Sequence, residues 1–293
     1  MNFNVFVENI VKILQEKMGE DYEIKVTKVT KNNDIQLTGV IMMRETDKVS
    51  PTIYLEELYK QYNEGSDLYE IANRIVALYE ENMKDIHIDL NFFGEFEHVK
   101  DRIFHKLINY SQNKNLLKDV PHLKWCDLAI VFYYSMEEVF GWGAILIHNN
   151  HLDMWNQTTD TLYQTAQYNM RRSMPELLVS IPELFREMTG VKLDEKEVRM
   201  YVLTNKEKLY GASAMLYSDE MGKLAAHLDS DLLILPSSVH EVLLLPDEQD
   251  RNYIFYHQMV EEVNTTQVEP EEILSYSLYR YNRKEGEIEK IAV

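Results

Sequence analysis

A chain of 293 residues, 45% hydrophobic and 11% aromatic, is long enough for one large core or two smaller ones and too apolar for a disordered acidic tail. Its 49 Asp and Glu against 30 Lys and Arg give a formal net charge of -19, which repels phosphate backbones, so direct nucleic-acid binding is not expected. The lone Cys126 permits no internal disulfide, the Met1–Val5 start lacks the pattern of a secretory signal, and no apolar run approaches the ~20 residues that cross a bilayer, so a cytoplasmic protein without membrane contact is expected.

The apolar stripe Phe3, Phe6, Val7, Ile10, Ile13, Leu14 and Met18 predicts a helix over 3–18, stopped by Gly19. Tyr22, Ile24 and Val26 alternate with polar residues, Asn32-Asn33-Asp34 has turn chemistry, and 35–43 is apolar again, so 22–43 reads as a hairpin. Ser50-Pro51 opens a helix with Ile53, Leu55, Leu58 and Tyr59. Gly65 breaks it, and Ser66 can cap a following helix that runs to about Met83 with Leu68, Ile71, Ala72, Ile75 and Leu78 inward. Residues 97–112 read as a further helix, and a boundary near Pro121 divides the chain into a helix and hairpin module, 1–120, and a more acidic module, 121–293.

Beyond Pro121, 128–134 and 141–148 read as a strand pair, 158–171 as a helix with Leu162, Ala166 and Met170 on one face, and 176–188 as a short helix. Residues 200–204 then read as a strand, 205–209 as a turn, 211–217 as a strand and 219–228 as a helix. Gly143-Ala144-Ile145 and Gly211-Ala212-Ser213 hold equivalent places, which points to a strand–strand–helix unit used twice. Strands at 232–235 and 239–245, a helix at 252–264, a turn at 271–275 and a strand at 278–281 complete the chain. The expected class is α+β: a helical and hairpin amino-terminal part followed by a mixed region with that repeat.

The densest catalytic-looking run is Ser237-Ser238-Val239-His240-Glu241 at the junction of two strands. A hydrolase would use His240 as base with Ser237 or Ser238 as nucleophile. On a strand Glu241 points away from Ser238 and His240, so its carboxylate must come from elsewhere. His148, His151 and Asp153 form one weak metal cluster, and Asp85, His87 and Asp89 on one strand face form another; exposed turn and strand polarity is the preferred reading of each. Cys126 reads as a small buried hydrophobe and Arg171-Arg172 as the basic end of a helix. None of the ten glycines lies in a nucleotide-binding loop, so no cofactor and no resident metal are expected.

Charge is uneven. Between Lys223 and Arg280 the one base is Arg251, against eleven acids from Asp229 to Glu272. The interaction residues expected from this stretch are Asp229, Asp231, Asp247, Glu248, Asp250, Glu261, Glu262, Glu269, Glu271 and Glu272. They imply a non-enzymatic interaction protein whose partner presents a basic surface. The alternatives are the His240 hydrolase and a structural or regulatory subunit of an assembly; the oligomeric state is open.

Peptides from 50–57, 201–205, 210–212, 234–241 and 262–268, among them Ser50-Pro51-Thr52-Ile53-Tyr54 and Pro236-Ser237-Ser238-Val239-His240-Glu241, resemble, in that order, a bacterial family, mainly of gut Firmicutes, known only as a domain of unknown function. The likeness spans nearly the whole chain and implies one family unit, with no activity, cofactor or site attached. It also implies an association with mobile elements, and hence an anti-defence form of the interaction protein that occupies the basic groove of a host nuclease.

Overall fold

The computed structural model describes residues 1–47, 50–83, 93–136, 143–194, 198–248 and 251–292. The fold is mixed α+β with three antiparallel sheets, and the chain divides into two compact units. The first comprises Met1–Lys31, Ile35–Leu90 and Met136–Gly143; the second comprises Asn32–Asp34, Asn91–Ser135 and Ala144–Val293.

In the first unit, α1 (Phe3–Met18) starts where the Asn2 side chain accepts from the Val5 amide at 3.0 Å. Its buried stripe of Phe6, Ile10, Ile13 and Leu14 packs with Ile71, Ala72, Ile75 and Tyr79 of α3 (Leu68–Met83). A side chain so enclosed contributes roughly 1.5–3 kcal/mol. The hairpin β1 (Tyr22–Thr30) and β2 (Gln36–Arg44) has the expected extent, and β3 (Thr52–Tyr54) adds to β2. The expected helix from Ser50 is thus a short strand first, and α2 covers only Glu56–Asn63. The Ile53 and Leu55 side chains that suggested a helical stripe are both buried, one in the strand and one just before the helix. Asp67, not Ser66, caps α3: its carboxylate accepts from the amides of Tyr69 at 2.6 Å and Glu70 at 3.0 Å.

The second unit begins with the short α4 (Phe96–Val99), and β4 (Ile103–Asn109) follows where the sequence predicts a helix over 97–112. β4 is covered on both faces, so its apolar residues carry neither period clearly. β5 (His122–Trp125) and β7 (Ala144–Leu146) pair with successive parts of β6 (Leu128–Ser135), whose other edge pairs with β4. Every residue of β6 is buried, which accounts for its unbroken apolar sequence. Pro121 lies immediately before β5. Helices α5 (Asn149–Trp155) and α6 (Thr159–Ser173) follow; α6 is capped by Thr158 and buries Leu162, Ala166 and Met170 as expected.

The six-stranded sheet has the order β13 (Glu287–Lys290), β12 (Tyr279–Asn282), β10 (Leu232–Ser238), β11 (Glu241–Pro246), β9 (Tyr201–Asn205), β8 (Glu176–Ser180). β8 (Glu176–Ser180) takes the first half of the helix expected over 176–188, and α7 (Ile181–Thr189) begins only where Ser180 caps the Glu183 amide. After β9 (Tyr201–Asn205), the strand expected over 211–217 is a 3-10 helix, Gly211–Leu216, so the repeated strand–strand–helix unit is absent from this position. The cause lies upstream: the Asn205 side chain bonds both the carbonyl and the amide of Leu209, and Tyr210 adopts the left-handed conformation at φ 51. α8 (Glu220–Leu228), β10 (Leu232–Ser238), β11 (Glu241–Pro246), α9 (Tyr253–Thr266) and β12 (Tyr279–Asn282) follow their sequence signals. The edge strand β13 (Glu287–Lys290) was not anticipated, because Ile288 is its one apolar residue. The turn Asn32–Asp34 is held within this unit: Asp34 accepts from the amides of Asn115 and Leu116, and Asn33 donates to the carbonyls of Pro270 and Ile273. Among the described residues no helix is long and apolar enough to cross a membrane.

Candidate functional site

His240 follows β10 in the two-residue turn into β11. Its Nδ1 accepts from the Tyr210 amide at 3.1 Å, so the neutral ring carries its proton on Nε2, which faces the Glu272 carboxylate at 3.5 Å. The imidazole stacks on the Tyr210 ring at 5.5 Å and 13°, and the Lys106 ammonium lies 4.1 Å from the other partner of that stack, the Tyr210 ring centroid. The turn is closed by Thr204, whose hydroxyl donates to the His240 carbonyl at 2.8 Å. Gly211 is required here, since a Cβ would come within 2.1 Å of Thr204 Oγ1 and 2.5 Å of the His240 carbonyl oxygen.

The serines stand apart from this ring. Ser238 is buried and its hydroxyl accepts from the His240 backbone amide at 3.0 Å. Among the described residues no hydrogen bond joins the His240 imidazole to Ser237 or Ser238. Geometry therefore brings His240 together with Lys106, Tyr210 and Glu272, and leaves both serines outside that group. Sequence reasoning missed Lys106 and Tyr210, which come from elements far from residue 240.

The acidic stretch separates into two sets. Asp247, 4% exposed at its side chain, accepts from Arg280 Nε at 2.6 Å and from the Tyr253 hydroxyl at 2.9 Å, with Arg251 at 3.8 Å. Asp247 holds the Arg280 guanidinium above the ordinary arginine value. Glu248 pairs with Arg199 and Arg251, Asp229 pairs with Arg283, and the Asp231 carboxylate accepts from the Arg283 amide. All of these arginines but Arg251 come from other segments; Asp247 is enclosed by its partners, while Glu248 and Asp229 stay exposed in surface ion pairs. Glu261, Glu262, Glu269 and Glu271 are exposed on α9 and the turn after it, with the His257 ring 3.9 Å from Glu261. Glu272 faces His240, and Asp250 lies outside the described residues.

The remaining sequence candidates have ordinary partners. His148 Nδ1 lies 2.9 Å from Asp119, His151 Nδ1 accepts from the His148 amide, and Asp153 is exposed. Among the described residues no three His, Cys, Asp or Glu side chains are grouped to hold a metal ion. Asp85, His87 and Asp89 lie outside the described residues. Burial raises the Cys126 thiol, with the Asp127 charge adding to it, so the reactive thiolate is disfavoured. Burial alone would raise the neighbouring Asp127, but hydrogen bonds from Ser277, Tyr279 and Lys290 reverse this and hold its carboxyl below the ordinary aspartate value. That knot ties the β5–β6 turn to β12 and β13. Arg171 and Arg172 stand in the last turn of α6, as their sequence position implied.

The second unit also holds a cleft of about 670 Å³, which no sequence motif marked. Ile130, Met215, Tyr217 and Met221 form its buried floor, and Trp125, Tyr163 and Tyr281 its half-buried aromatic walls. Arg171, Asp219 and Glu287 supply its charged side chains. Its residues come from β5, β6, α6, the 3-10 helix Gly211–Leu216 and the turn after it, α8, β12, the β12–β13 turn and β13, and the 19 tyrosines of the chain were the one compositional hint of such a lining. No curated protein and no solved structure matches this chain. Its residues 3–283 match the family of unknown function DUF5688, and the chain belongs to that family.

Proposed function

We propose that this is a non-enzymatic interaction protein, and that the outward face of α9 with the turn after it receives a basic surface of a protein partner. The observation that carries this reading is the composition of that face. Ile254 is 62% exposed and Phe255 56%, with Val263 further along the same helix. Glu261, Glu262, Glu269 and Glu271 surround the far end. Apolar and aromatic side chains rimmed by charge match the anatomy of a protein interface. The carboxylates crowd the end where the helix dipole is negative, and no base stands in the last turn, an arrangement that folding stability alone does not favour. The anti-defence form of this reading, in which the basic surface belongs to a host nuclease, is one version of it.

Site-specific photocrosslinking in living cells tests the proposal. A crosslinker at Phe255 or Val263 is expected to give the same adduct with a basic protein, and one at the exposed Tyr69 is expected not to. Replacing Glu261, Glu262, Glu269 and Glu271 together by Gln should remove the adduct. Equal labelling from Tyr69, or an adduct indifferent to those four changes, would overturn the reading.

A further inference from the structure

The cleft of the second unit has a chemistry of its own, and none of its lining residues belongs to α9 or the turn after it. Its volume of about 670 Å³ falls in the range of small-molecule sites, and its accessible lining is more polar than apolar, with the apolar part at Met215, Met221 and the aromatic rings. Three aromatic rings enter it from different elements: Trp125 from β5, Tyr163 from α6 and Tyr281 from β12. Their ring contacts run away from the cleft, Trp125 onto Tyr279 at 6.4 Å and Tyr163 onto His105 at 6.2 Å. Among the described residues no ring contact joins the three to one another, and the stacks on Tyr279 and His105 each cover one face of Trp125 and Tyr163 and leave the opposite face to a guest.

The walls are backed firmly. His105 is fully buried behind Tyr163 and Tyr217, stacked on the first at 28° and edge-on to the second at 64°. Neither of its ring nitrogens has a hydrogen-bond partner. The Tyr163 hydroxyl is bonded by Gln167 and the Tyr217 hydroxyl donates to the Met174 carbonyl, so both rings are fixed. Tyr281 passes close over α8 at Gly222, where a Cβ would lie 3.1 Å from its hydroxyl oxygen. A Cβ there would press on that hydroxyl by a few tenths of an ångström.

The charge of the lining decides the guest. Its single cation, Arg171, faces Asp219 at 3.7 Å, which leaves Glu287 as a carboxylate with no ion pair among the described residues. Burial keeps His105 neutral around pH 7, so the layer behind the walls adds no positive charge. The whole chain carries a formal charge of -19, which concentrates cations near its surface and repels anions. Aromatic faces with a neighbouring carboxylate attract an ammonium group through the ring quadrupole, and a weakly hydrated quaternary ammonium most readily.

We propose that this cleft is a binding site for a small organic cation, with its ammonium group against the faces of Trp125, Tyr163 and Tyr281 and beside Glu287, and its apolar body on the floor of Met215 and Met221. The interaction is non-covalent and requires no metal.

Calorimetric titration of the full chain with benzyltrimethylammonium tests this, alongside the neutral isostere 2,2-dimethylpropylbenzene and the anion benzoate. The cation is expected to bind with a dissociation constant below about 1 mM, at least tenfold more tightly than either comparison compound. Glu287→Gln, on the exposed edge strand, should weaken the cation several-fold and leave the neutral isostere unchanged. Trp125→Leu should weaken the cation about tenfold. Far-ultraviolet circular dichroism of both variants should confirm the fold. Absence of binding by the cation, equal binding of the neutral isostere, or preference for benzoate at Arg171 would each overturn the proposal. None of these results bears on the α9 surface.

Discussion

The acids at 229–248 and those at 261–271 look alike in sequence and do opposite work. The first set is paired with Arg199, Arg251, Arg280 and Arg283, of which only Arg251 is close in sequence, and Asp247 is enclosed by this pairing while Asp229 and Glu248 are paired at the surface. The second set stays on the solvent side of α9 and its turn. A linear run of charge therefore does not measure a charged surface. Long-range pairing can neutralise one half of it and leave the other half intact, and that difference is open to direct attack by mutation.

The largest effect is expected at Asp247. Its carboxylate is nearly enclosed and bonded to Arg280 and Tyr253, so Asp247→Ala removes the buried counter-ion of Arg280 and leaves it only the exposed Glu289. Breaking a buried pair of this kind costs about 3 kcal/mol, which urea unfolding would read as a lower midpoint at unchanged slope. Adding Arg280→Met to Asp247→Ala should recover part of the loss. A loss under about 0.5 kcal/mol would place Asp247 with the exposed acids instead.

Next in size, over the interval from pH 7 to pH 5, is an effect at His105, a polar side chain that the fold encloses without a hydrogen-bond partner. Burial lowers its pKa from the ordinary value of 6.5 to about 3. Between these values the unfolded chain binds the proton and the native protein does not. Stability therefore falls as pH drops from about 6.5 toward 3, by up to about 1.4 kcal/mol for each unit. His105→Phe keeps a flat ring against Tyr163, removes the two orphaned nitrogens, and should abolish this part of the acid sensitivity. Unfolding curves at pH 7 and pH 5 for both proteins measure the difference. Asp127 acts in the same direction at lower pH: its depressed pKa contributes stability above the ordinary aspartate value, lost as pH falls through the folded one.

Smaller changes in stability are expected from the exposed set. Each of Glu261→Gln, Glu262→Gln, Glu269→Gln and Glu271→Gln should move stability by no more than about 0.5 kcal/mol, while together they remove the crosslinked partner. The smallest effect is expected at Asp229, whose bridge to Arg283 lies at the surface. Asp229→Asn should leave the melting temperature and the crosslinking pattern as they are. A loss of the partner adduct in Asp229→Asn would extend the interaction face into the set assigned to the fold.

Much of the architecture was legible where one period dominated. The α1 stripe, the β1–β2 hairpin with its Asn-Asn-Asp turn, α6 and α9 follow local signals, because each has one buried face or a clear cap. Legibility failed where burial is two-sided or where a side chain redirects the backbone. β4 reads as a helix because its apolar residues occupy both faces, and 211–217 reads as a strand because the Asn205 clamp and the left-handed Tyr210 lie outside any periodic pattern. The capping run Ser180-Ile181-Pro182-Glu183 was a visible signal that would have placed the start of α7 correctly.

From the sequence alone, the α+β class, most local elements, the family and the overall acidity of this protein were determined, since they depend on composition and short-range pattern. The tertiary structure alone decided which carboxylates remain on the surface, that the His240 ring meets Tyr210 and Glu272 while both serines stand apart, and that Trp125, Tyr163 and Tyr281 share a cleft. Each of these depends on contacts between residues distant in the chain, and a pairing at such separation is set by the packing of whole elements and leaves no local period to read.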